Sequence, residues 1–453
     1  MKIRSSRLRL AAAAISVAML ATACASDTEG EGDEPTTEED GGDEDMDDDS
    51  DEDMDDDGDM DAGALGTVTV EAGDAIQIRS LQAISGDVAF LGLPNQRATE
   101  LAIEDFGQIE GFDVEIGTPL DDLCDSAGGQ SAAQTIAADD QVVGVIGTSC
   151  SGAAVAAMPI LSDAGLVMIS PSNTSPSLTS DLAGTQGSDY QPGYYRTAHN
   201  DLFQGRAAAE FVFNDQGIES AAAIHDGDPY TQGLAQAFAD AFEELGGTVT
   251  AITAVNKGDT DMTGVLTEVA AGEPGAVFFP IFMPEGGFIA QQIGDVDGLS
   301  DALLMSADGT LTDNFIELPE TVGIFHSGPN LSYGENANGS TGTTATNFLE
   351  RYEAEYGEQP AAAFWAHSYD ATTMLLEAIA NTATLDGDNL VIDRQAIRDY
   401  LTGIDGYEGI IGTISCDEYG DCGAQRIAVY EHQDGEVTAG EVNENIVFEF
   451  APE

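Results

Sequence analysis

Short hydrophobic runs alternate with longer amphipathic segments from residue 76 onward, and this alternation is the main structural signal of the chain. The runs are rich in β-branched residues and predict strands at 76–83, 112–116, 142–147, 166–170, 221–225, 248–255, 276–281, 303–306 and 322–326. The segments between them, rich in Ala, Glu, Leu and Gln, predict helices at 93–106, 131–138, 152–164, 203–214, 233–245, 262–271 and 286–293. Continuous hydrophobic strands alternating with helices predict parallel sheets that are covered by helices on both faces.

Nine strands before residue 330 are many for one open sheet. We therefore expect an α/β protein with two doubly wound, Rossmann-like lobes. The last third of the chain departs from the repeat, with helices predicted at 347–356, 368–381 and 394–400, followed by strands at 410–415, 426–431 and 446–450.

The first 23 residues have the form of a bacterial export signal. Residues 1–9 are basic, and an apolar run at 10–23 follows, which is too short to span a bilayer comfortably. Small residues directly precede Cys24, a pattern that resembles a lipobox, in which the cysteine becomes the lipid-modified N-terminus. The alternative is ordinary signal cleavage beside an incidental cysteine. The pattern favours a lipid-anchored protein on the outer face of the cell membrane.

The charge of the chain is strongly negative, with 83 acidic residues against 13 basic ones. Residues 27–61 contain 22 acids and no base, so residues 24–62 are expected to form a solvated, self-repelling tether rather than a calcium loop. From residue 62 onward, 61 acids face nine bases, and Lys257 is the single lysine. Such a field excludes a nucleic-acid partner. It also suggests adaptation to a saline environment; the alternative is an acidic exported protein with no special salt demand.

Four cysteines remain besides Cys24, and an even number in an exported protein favours two disulfides. Cys416 and Cys422 flank a short turn-rich loop, so their proximity favours a 416–422 bridge and leaves Cys124 to pair with Cys150. Zinc binding is the rival interpretation, but paired CxxC spacing and histidines in register are missing.

Polar side chains follow several predicted strands, at the sheet edge where open α/β sheets bind ligands. After the strands at 142–147 and 166–170, the segments 148–152 and 171–176 offer hydroxyls and backbone N–H groups that suit a small carboxylate. In the second half, Tyr230 and Asp308 follow strands and suit an ammonium group. Helix capping without any ligand is the alternative explanation for both sets.

Catalytic and cofactor motifs are missing from the sequence. It has no GxSxG, HExxH or GxxxxGK[ST], and no GxGxxG after the first strand, and its five histidines are scattered without metal spacing. An enzyme, a hydrolase included, and a bound cofactor are therefore unsupported.

Several ordered blocks resemble the type I periplasmic binding proteins, and among them the leucine/isoleucine/valine-type receptors of branched-chain amino acid ABC transporters. The resemblance runs from about residue 75 to residue 450. Its marks are Gly86-Asp87-Val88-Ala89 with Gly92, the strand at 143–147 with Ser149-Cys150-Ser151, Met168-Ile169-Ser170-Pro171 with Asn173-Thr174, Arg196-Thr197-Ala198, Ile224-His225-Asp226 with Tyr230 and Gly233, and Pro284-Glu285.

The resemblance implies two lobes joined by three crossovers that close on one ligand. The implied N-terminal lobe comprises residues 63–200 and 328–412, and the C-terminal lobe comprises 201–327 and 413–453. The implied ligand contacts are Ser151, Thr174 and the backbone of Asn173 for a carboxylate, Tyr230 and Asp308 for an ammonium, and Leu91 and Phe282 for the side chain. A Cys124–Cys150 disulfide and membrane permease subunits as partners are implied as well.

Three positions depart from the family pattern and bear on the ligand. Asp308 stands where relatives commonly have Glu, Phe282-Met283 replaces an aromatic pair, and Leu91 replaces an aromatic residue. A ligand other than leucine, isoleucine or valine is therefore compatible with the resemblance. The main function hypothesis is a solute receptor of an importer. The alternative is a sensory or regulatory domain that uses the same fold for an amide, urea or another small organic solute.

Overall fold

The computed structural model describes residues 64–435 and 437–451. The expected export signal, Cys24 and the acidic tether all lie outside these residues. Within the described ranges, no helix has the length and apolar character needed to cross a bilayer.

Eighteen strands form in the described part of the chain. They are β1 Thr67–Val70, β2 Ile76–Gln82, β3 Val114–Glu115, β4 Leu120–Asp121, β5 Val142–Gly147, β6 Met168–Ser170, β7 Tyr194–Arg196, β8 Ser220–His225, β9 Thr248–Ala254, β10 Ala276–Phe278, β11 Leu303–Ala307, β12 Phe325–Pro329, β13 Thr384–Asp386, β14 Asn389–Asp393, β15 Tyr407–Gly409, β16 Gly412–Ile414, β17 Ile427–Glu431 and β18 Ile446–Phe450.

Twelve α-helices accompany the strands in the same ranges. They are α1 Ala89–Phe106, α2 Ser126–Ala137, α3 Ser151–Asp163, α4 Asp201–Glu210, α5 Pro229–Glu244, α6 Thr263–Ala270, α7 Glu285–Ile293, α8 Asp313–Ile316, α9 Ala345–Tyr356, α10 Trp365–Thr382, α11 Arg394–Thr402 and α12 Ala439–Val442.

Two separate sheets carry the α/β repeat, which confirms the predicted fold class. The first has the order β3-β2-β5-β6-β7, with β4 also paired to β2, and all of its pairs are parallel. The second has the order β18-β17-β12-β11-β10-β8-β9, and it is parallel except for β17 and β18. The late strands β17 and β18 therefore return the chain to the second sheet.

The inner strands of each sheet are buried on both faces, which explains why they are continuously hydrophobic. In β8, Ala221 and Ala223 face one apolar core while Ala222 and Ile224 face another. The first sheet is likewise sandwiched, with α2 and α3 packed on one side and α1 and α10 on the other. These layers match the doubly wound arrangement expected from the sequence.

Three chain segments pass side by side between the two sheets. The first follows β7, where the Arg196 backbone N–H donates to the Gly420 carbonyl at 2.9 Å. The third segment, around residues 420–426, also meets the second one, because the Asn330 N–H donates to the Arg426 carbonyl at 3.0 Å. The sheets are thus connected by three adjacent crossovers.

Several element boundaries differ from the sequence-based expectation. Helices α1, α2 and α5 begin four to five residues earlier than predicted, since Asp125 and Asp228 cap α2 and α5 upstream of the apolar pattern. The strand predicted at 410–415 is instead part of the hairpin β15–β16, which turns at Ile410 and Ile411 and continues as β16 from Gly412. The helix predicted at 203–214 is α4 followed by a π-helical turn at Phe211–Asp215.

Candidate functional site

The loops that follow strands of both sheets meet around one small cavity. The first half of the chain contributes Leu91, Ser149, Cys150, Ser151 and Ser172 to its lining, and the second half contributes Tyr230, Phe282 and Asp308. Five of the seven residues predicted to bind a ligand therefore line this cavity. The remaining two, Asn173 and Thr174, lie in the loop after β6, next to Ser172.

One end of the site is built from hydroxyl groups and a helix N-terminus. Ser151 is the first residue of α3, is 1% exposed, and accepts a 3.4 Å hydrogen bond from the Ser175 N–H. Thr174 Oγ1 is buried without a hydrogen-bond partner within the described structure. Because the first turn of a helix has N–H groups that the helix itself does not use, this end suits an anionic ligand group.

The Asn173 side chain is occupied by the protein itself. Its Oδ1 accepts hydrogen bonds from Thr148 Oγ1 at 3.1 Å and from the Tyr194 hydroxyl at 3.2 Å, and its Nδ2 donates to the Thr148 carbonyl. The Asn173 N–H likewise donates to Ser170 Oγ at 2.9 Å, and its carbonyl accepts from Arg196 Nη1 at 3.3 Å. In this structure both the side chain and the backbone of Asn173 therefore shape the loop, and the ligand role that the resemblance implied for the backbone stays a prediction.

The opposite end of the site is acidic and aromatic. Asp308 follows β11, and its Oδ1 accepts hydrogen bonds from Gln204 Nε2 at 2.8 Å and from the Tyr230 hydroxyl at 3.3 Å. Burial raises the pKa of Asp308 to about 6. The Tyr230 ring lies 5.1 Å from that of Phe282, so an apolar surface adjoins the carboxylate.

A second acid near this end, Asp201, was missed in the sequence. It is fully buried at the start of α4, its N–H donates to the Thr174 carbonyl at 2.9 Å, and its carboxyl lies near the Thr174 hydroxyl. Burial, and next the nearby charge of Asp308, raise its pKa well above the ordinary range. In the sequence alone, an acid in the first turn of a helix is explained by its favourable interaction with the helix dipole, so it does not indicate a ligand. Two buried acids so close together favour a cationic ligand group.

The apolar core next to the site includes Phe364, which no pattern in the sequence marked. Phe364 is 2% exposed and belongs to the same apolar cluster as Leu91, Cys150, Tyr230 and Phe282. It directly precedes α10, in the late part of the chain where the βα repeat has ended, so no strand-end signal marked it.

Helices from the two halves of the chain approach closely above the cavity. A Cβ placed on Gly152 of α3 would lie 2.7 Å from Asp228 Oδ2, and one on Gly233 of α5 would lie 3.3 Å from Pro176 Cδ. Asp228 is also paired with Lys257 at 3.1 Å. Glycines at these two positions permit an approach that larger residues would block.

The two disulfides have the predicted pairing. Cys124–Cys150, with a Cα–Cα distance of 5.0 Å, fixes the loop before α3. Asp122 supports the same loop by accepting hydrogen bonds from the N–H groups of Cys124 at 2.8 Å and Ser149 at 2.7 Å. Cys416–Cys422, with a Cα–Cα distance of 3.9 Å, closes the loop that leads into the third crossover.

Comparison with known proteins agrees with this architecture. Residues 75–436 match a family model described as periplasmic binding protein. The Brucella melitensis protein named Leu/Ile/Val-binding protein homolog 3 is 26% identical over 371 residues, which cover 80% of this chain and 92% of that protein.

Two solved structures have the same fold. A leucine-binding protein from Thermotoga maritima MSB8 has a TM-score of 0.70 and 24% identity, and the match covers 83% of this chain and 99% of that one. A branched-chain amino acid transporter substrate-binding protein from Streptococcus pneumoniae, solved in complex with isoleucine, has a TM-score of 0.66 and 22% identity over the same shares.

Proposed function

The chain belongs to the periplasmic binding protein family, and from this premise we propose that it captures an α-amino acid in the cavity between two lobes and delivers it to the permease of an ABC importer. The relative from Brucella melitensis carries a name for leucine, isoleucine and valine binding, which points to an amino acid of similar size.

The observation that carries this proposal is the opposite chemistry of the two ends of the cavity. Hydroxyls and a helix N-terminus lie at one end, and the buried acid Asp308 lies at the other. Asp201 is near Asp308 but also adjoins Thr174, whose carbonyl accepts a hydrogen bond from the Asp201 N–H at 2.9 Å. The buried cation near Asp201, Arg196, is already paired with Asp421. A zwitterion satisfies both ends at once, whereas a simple carboxylic acid or a neutral amide would leave the two acids without a counter-charge.

The proposed contacts follow from these positions. Ser151 and Thr174 bind the ligand carboxylate, and Asn173, whose N–H donates to Ser170 Oγ, shapes the loop beside them. Asp308 and Tyr230 hold its ammonium group, with the newly found Asp201 near Asp308. Leu91 and Phe282 then cover the side chain, which the apolar character of these two residues restricts to aliphatic or aromatic groups.

Charge-assisted hydrogen bonds make this binding mode strong enough for a receptor. Each contributes about 1.5–3 kcal/mol, so four or five of them leave micromolar or tighter affinity after the costs of association and lobe closure. No step in this scheme changes a covalent bond, so the proposed role is binding and not catalysis.

The proposed lobes are residues 63–200 with 328–419 and residues 201–327 with 420–453. The last boundary is moved from residue 412, as the sequence suggested, to the third crossover, because β16 pairs with β15 and Ile414 packs in the core of the first sheet. The three adjacent crossovers between the two sheets support this division, since a hinge needs few connecting segments. Ligand capture then closes one lobe on the other, and the permease reads the closed form.

The proposed location is the outer face of the cell membrane. Residues 1–23 act as the export signal, Cys24 carries the lipid, and the acidic segment at 24–62 tethers the binding domain. Incorporation of a radiolabelled fatty acid into the wild-type protein, lost in Cys24→Ser, tests this part of the proposal. Labelling of both proteins, or of neither, would contradict it.

Calorimetric titration of the purified protein with a panel of amino acids, amides and small organic acids tests the ligand class. We expect one-to-one binding of an α-amino acid. Asp308→Ala is expected to weaken it about a hundred-fold, since the buried ammonium loses its counter-charge. Asp301→Ala, which removes an exposed acid of the same half of the chain, serves as the matched control. Unchanged affinity in Asp308→Ala would remove Asp308 from the site, and binding of amides in preference to amino acids would overturn the ligand class.

A further inference from the structure

Gln204 joins the candidate ligand acid to the first crossover and to β12. It lies in α4 and is fully buried. Its Nε2 donates to Asp308 Oδ1 at 2.8 Å and also lies 3.1 Å from both the carbonyl oxygen and Oγ of Ser327 in β12. Its Oε1 lies 2.5 Å from His199 Nε2, in the first crossover.

The chemistry of these partners fixes the orientation of the amide. A backbone carbonyl and a carboxylate only accept hydrogen bonds, so the NH₂ group of Gln204 must face Ser327 and Asp308. Its Oε1 then accepts a hydrogen bond from His199, which must carry its proton on Nε2. His199 Nδ1, which is buried without a partner in the described structure, agrees with this tautomer. Each atom of the Gln204 amide is thus matched to a partner.

Gln204 and Tyr230 both donate to the same oxygen of Asp308, Oδ1. Among the described residues no side chain donates to the second oxygen, Oδ2, although Asp308 lines the cavity. Anchoring one oxygen holds the carboxylate in a single orientation and keeps the other available for a ligand.

We propose that Gln204 is a positioning residue of the binding site: it orients the Asp308 carboxylate for the cationic group of the ligand and stabilises the charge of that carboxylate. This role rests on the proposed function only in so far as the ligand is cationic at this end. The donated hydrogen bond itself is a property of the free protein.

The groups around Asp308 leave Gln204 as its main stabilising partner. The Tyr230 hydroxyl is a weaker donor at 3.3 Å. Asp201 from α4 and Tyr430 from β17 interact with Asp308 electrostatically, and an ionised Asp201 disfavours a second negative charge. Arg196 is near Asp201 but is neutralised by Asp421. Burial already raises the pKa of Asp308 to about 6, and the Gln204 bond opposes that rise.

A titration of Asp308 in the ligand-free protein tests the proposal directly. The probe is the side-chain carboxyl ¹³C signal in protein labelled at aspartate, assigned through its absence in Asp308→Asn. Gln204→Met keeps the length of the side chain but removes the donor. We expect it to move the midpoint of the Asp308 titration upward by about one pH unit or more. Gln292→Met is the matched control, because Gln292 bonds only to the backbone of Thr260 and Met262.

An Asp308 midpoint that is the same in wild type, Gln204→Met and Gln292→Met would overturn the proposal. If Gln204→Met does not fold, Gln204→Glu replaces it. The two carboxyls then share one site, and we expect one of two titration steps to lie above the wild-type midpoint. A Gln204→Glu protein with no step above that midpoint would also refute the role. Since neither titration contains a ligand, a failure of the amino-acid proposal would show up separately, in calorimetry.

Discussion

Arg196 and Asp421 form a buried ion pair that joins the first crossover to the third. Arg196 Nε lies 2.5 Å from Asp421 Oδ1, and the two side chains are 0% and 4% exposed. The same guanidinium donates to the Ser175 carbonyl at 2.8 Å and to Thr179 Oγ1 at 2.8 Å, so it also holds the loop that follows the candidate carboxylate site. One side chain thereby fixes both a crossover and a wall of the site.

Asp421→Ala should destabilise the protein strongly. The substitution leaves a buried guanidinium without its counter-charge, which typically costs about 3–5 kcal/mol of the free energy of unfolding. Guanidinium chloride unfolding followed by circular dichroism measures this change. The matched control is Glu358→Ala, which breaks the exposed pair with Arg97 and should cost less than about 1 kcal/mol. Equal losses in the two variants would contradict the role assigned to the buried pair.

Ligand affinity should fall in acid because Asp308 must be ionised to hold an ammonium group. The pKa of Asp308 in the free protein is raised by burial to about 6. A bound ammonium lowers that pKa, so binding is strongest above pH 7 and weakens as the pH falls through 6, by up to about ten-fold for each further pH unit. Calorimetry between pH 8 and pH 5 measures this. Affinity that stays flat over the whole range would show that the ligand does not depend on a charged Asp308.

Acid should also destabilise the fold through His326, a residue of β12. Its Nε2 is buried without a partner in the described structure, and burial lowers its pKa from 6.5 to about 3. Between pH 6.5 and pH 3 the imidazole is protonated in the unfolded chain but neutral in the folded one. The free energy of unfolding that the neutral ring contributes is therefore fully present above pH 6.5 and is lost as the pH falls toward 3. From pH 7 to pH 5 the loss is about 2 kcal/mol.

His326→Leu should therefore lose less stability between pH 7 and pH 5 than the wild type does, as measured by urea unfolding at both pH values. Thr310, the hydrogen-bond partner of His326, keeps its bonds to Ser306 and Ala307 in this variant. His225→Asn is the control, since His225 is only partly buried and should change the pH dependence less. The same loss in wild type and His326→Leu would exclude His326 as a source of acid sensitivity.

Strands buried on both faces give the clearest signal in the sequence, although the partly exposed β9 and β18 were predicted as well. β5 and β10 are uniformly hydrophobic because helices cover both sides of the sheet, so their runs stand out. β13 is exposed along its whole length and gives no such signal. β7 has only three residues, too few for a pattern. Prediction of the fold therefore recovered most strands of the two main sheets but missed β4 and β7 of the first sheet and the small antiparallel sheet β1-β14-β13.

The candidate site was predicted in part for a similar reason. Ser151, Tyr230 and Asp308 directly follow strands, where ligand residues of open sheets are expected. Asp201 and Gln204 lie in α4 instead, and their importance arises because folding brings Asp308, about 100 residues later, next to them. A local sequence pattern does not show which residues far apart in the chain lie next to each other in the fold.

Most acidic side chains have no basic partner in the described part of the fold, so the negative charge of the sequence stays uncompensated. In the described structure eight acidic side chains form ion pairs with six basic ones. From residue 62 onward nine bases face 61 acids, so most acids have no basic side chain available to them. Repulsion among like charges destabilises a compact state, and dissolved salt screens it.

The melting temperature should consequently climb between dilute buffer and about 1 M sodium chloride, where the screening length falls to roughly 3 Å. Differential scanning calorimetry measures the rise, and sucrose at equal osmolality separates screening from solvent exclusion. The triple variant Asp295→Asn, Asp297→Asn, Asp301→Asn removes three exposed charges from one surface region. Because it begins with less repulsion, it should melt higher than the wild type in dilute buffer and gain less from salt. The contrary outcome is a melting temperature that does not respond to salt, together with a variant that is no more stable than the wild type. It would mean that counter-ions around the folded domain already neutralise the repulsion at low ionic strength. Adaptation to a saline environment would then lose its physical basis.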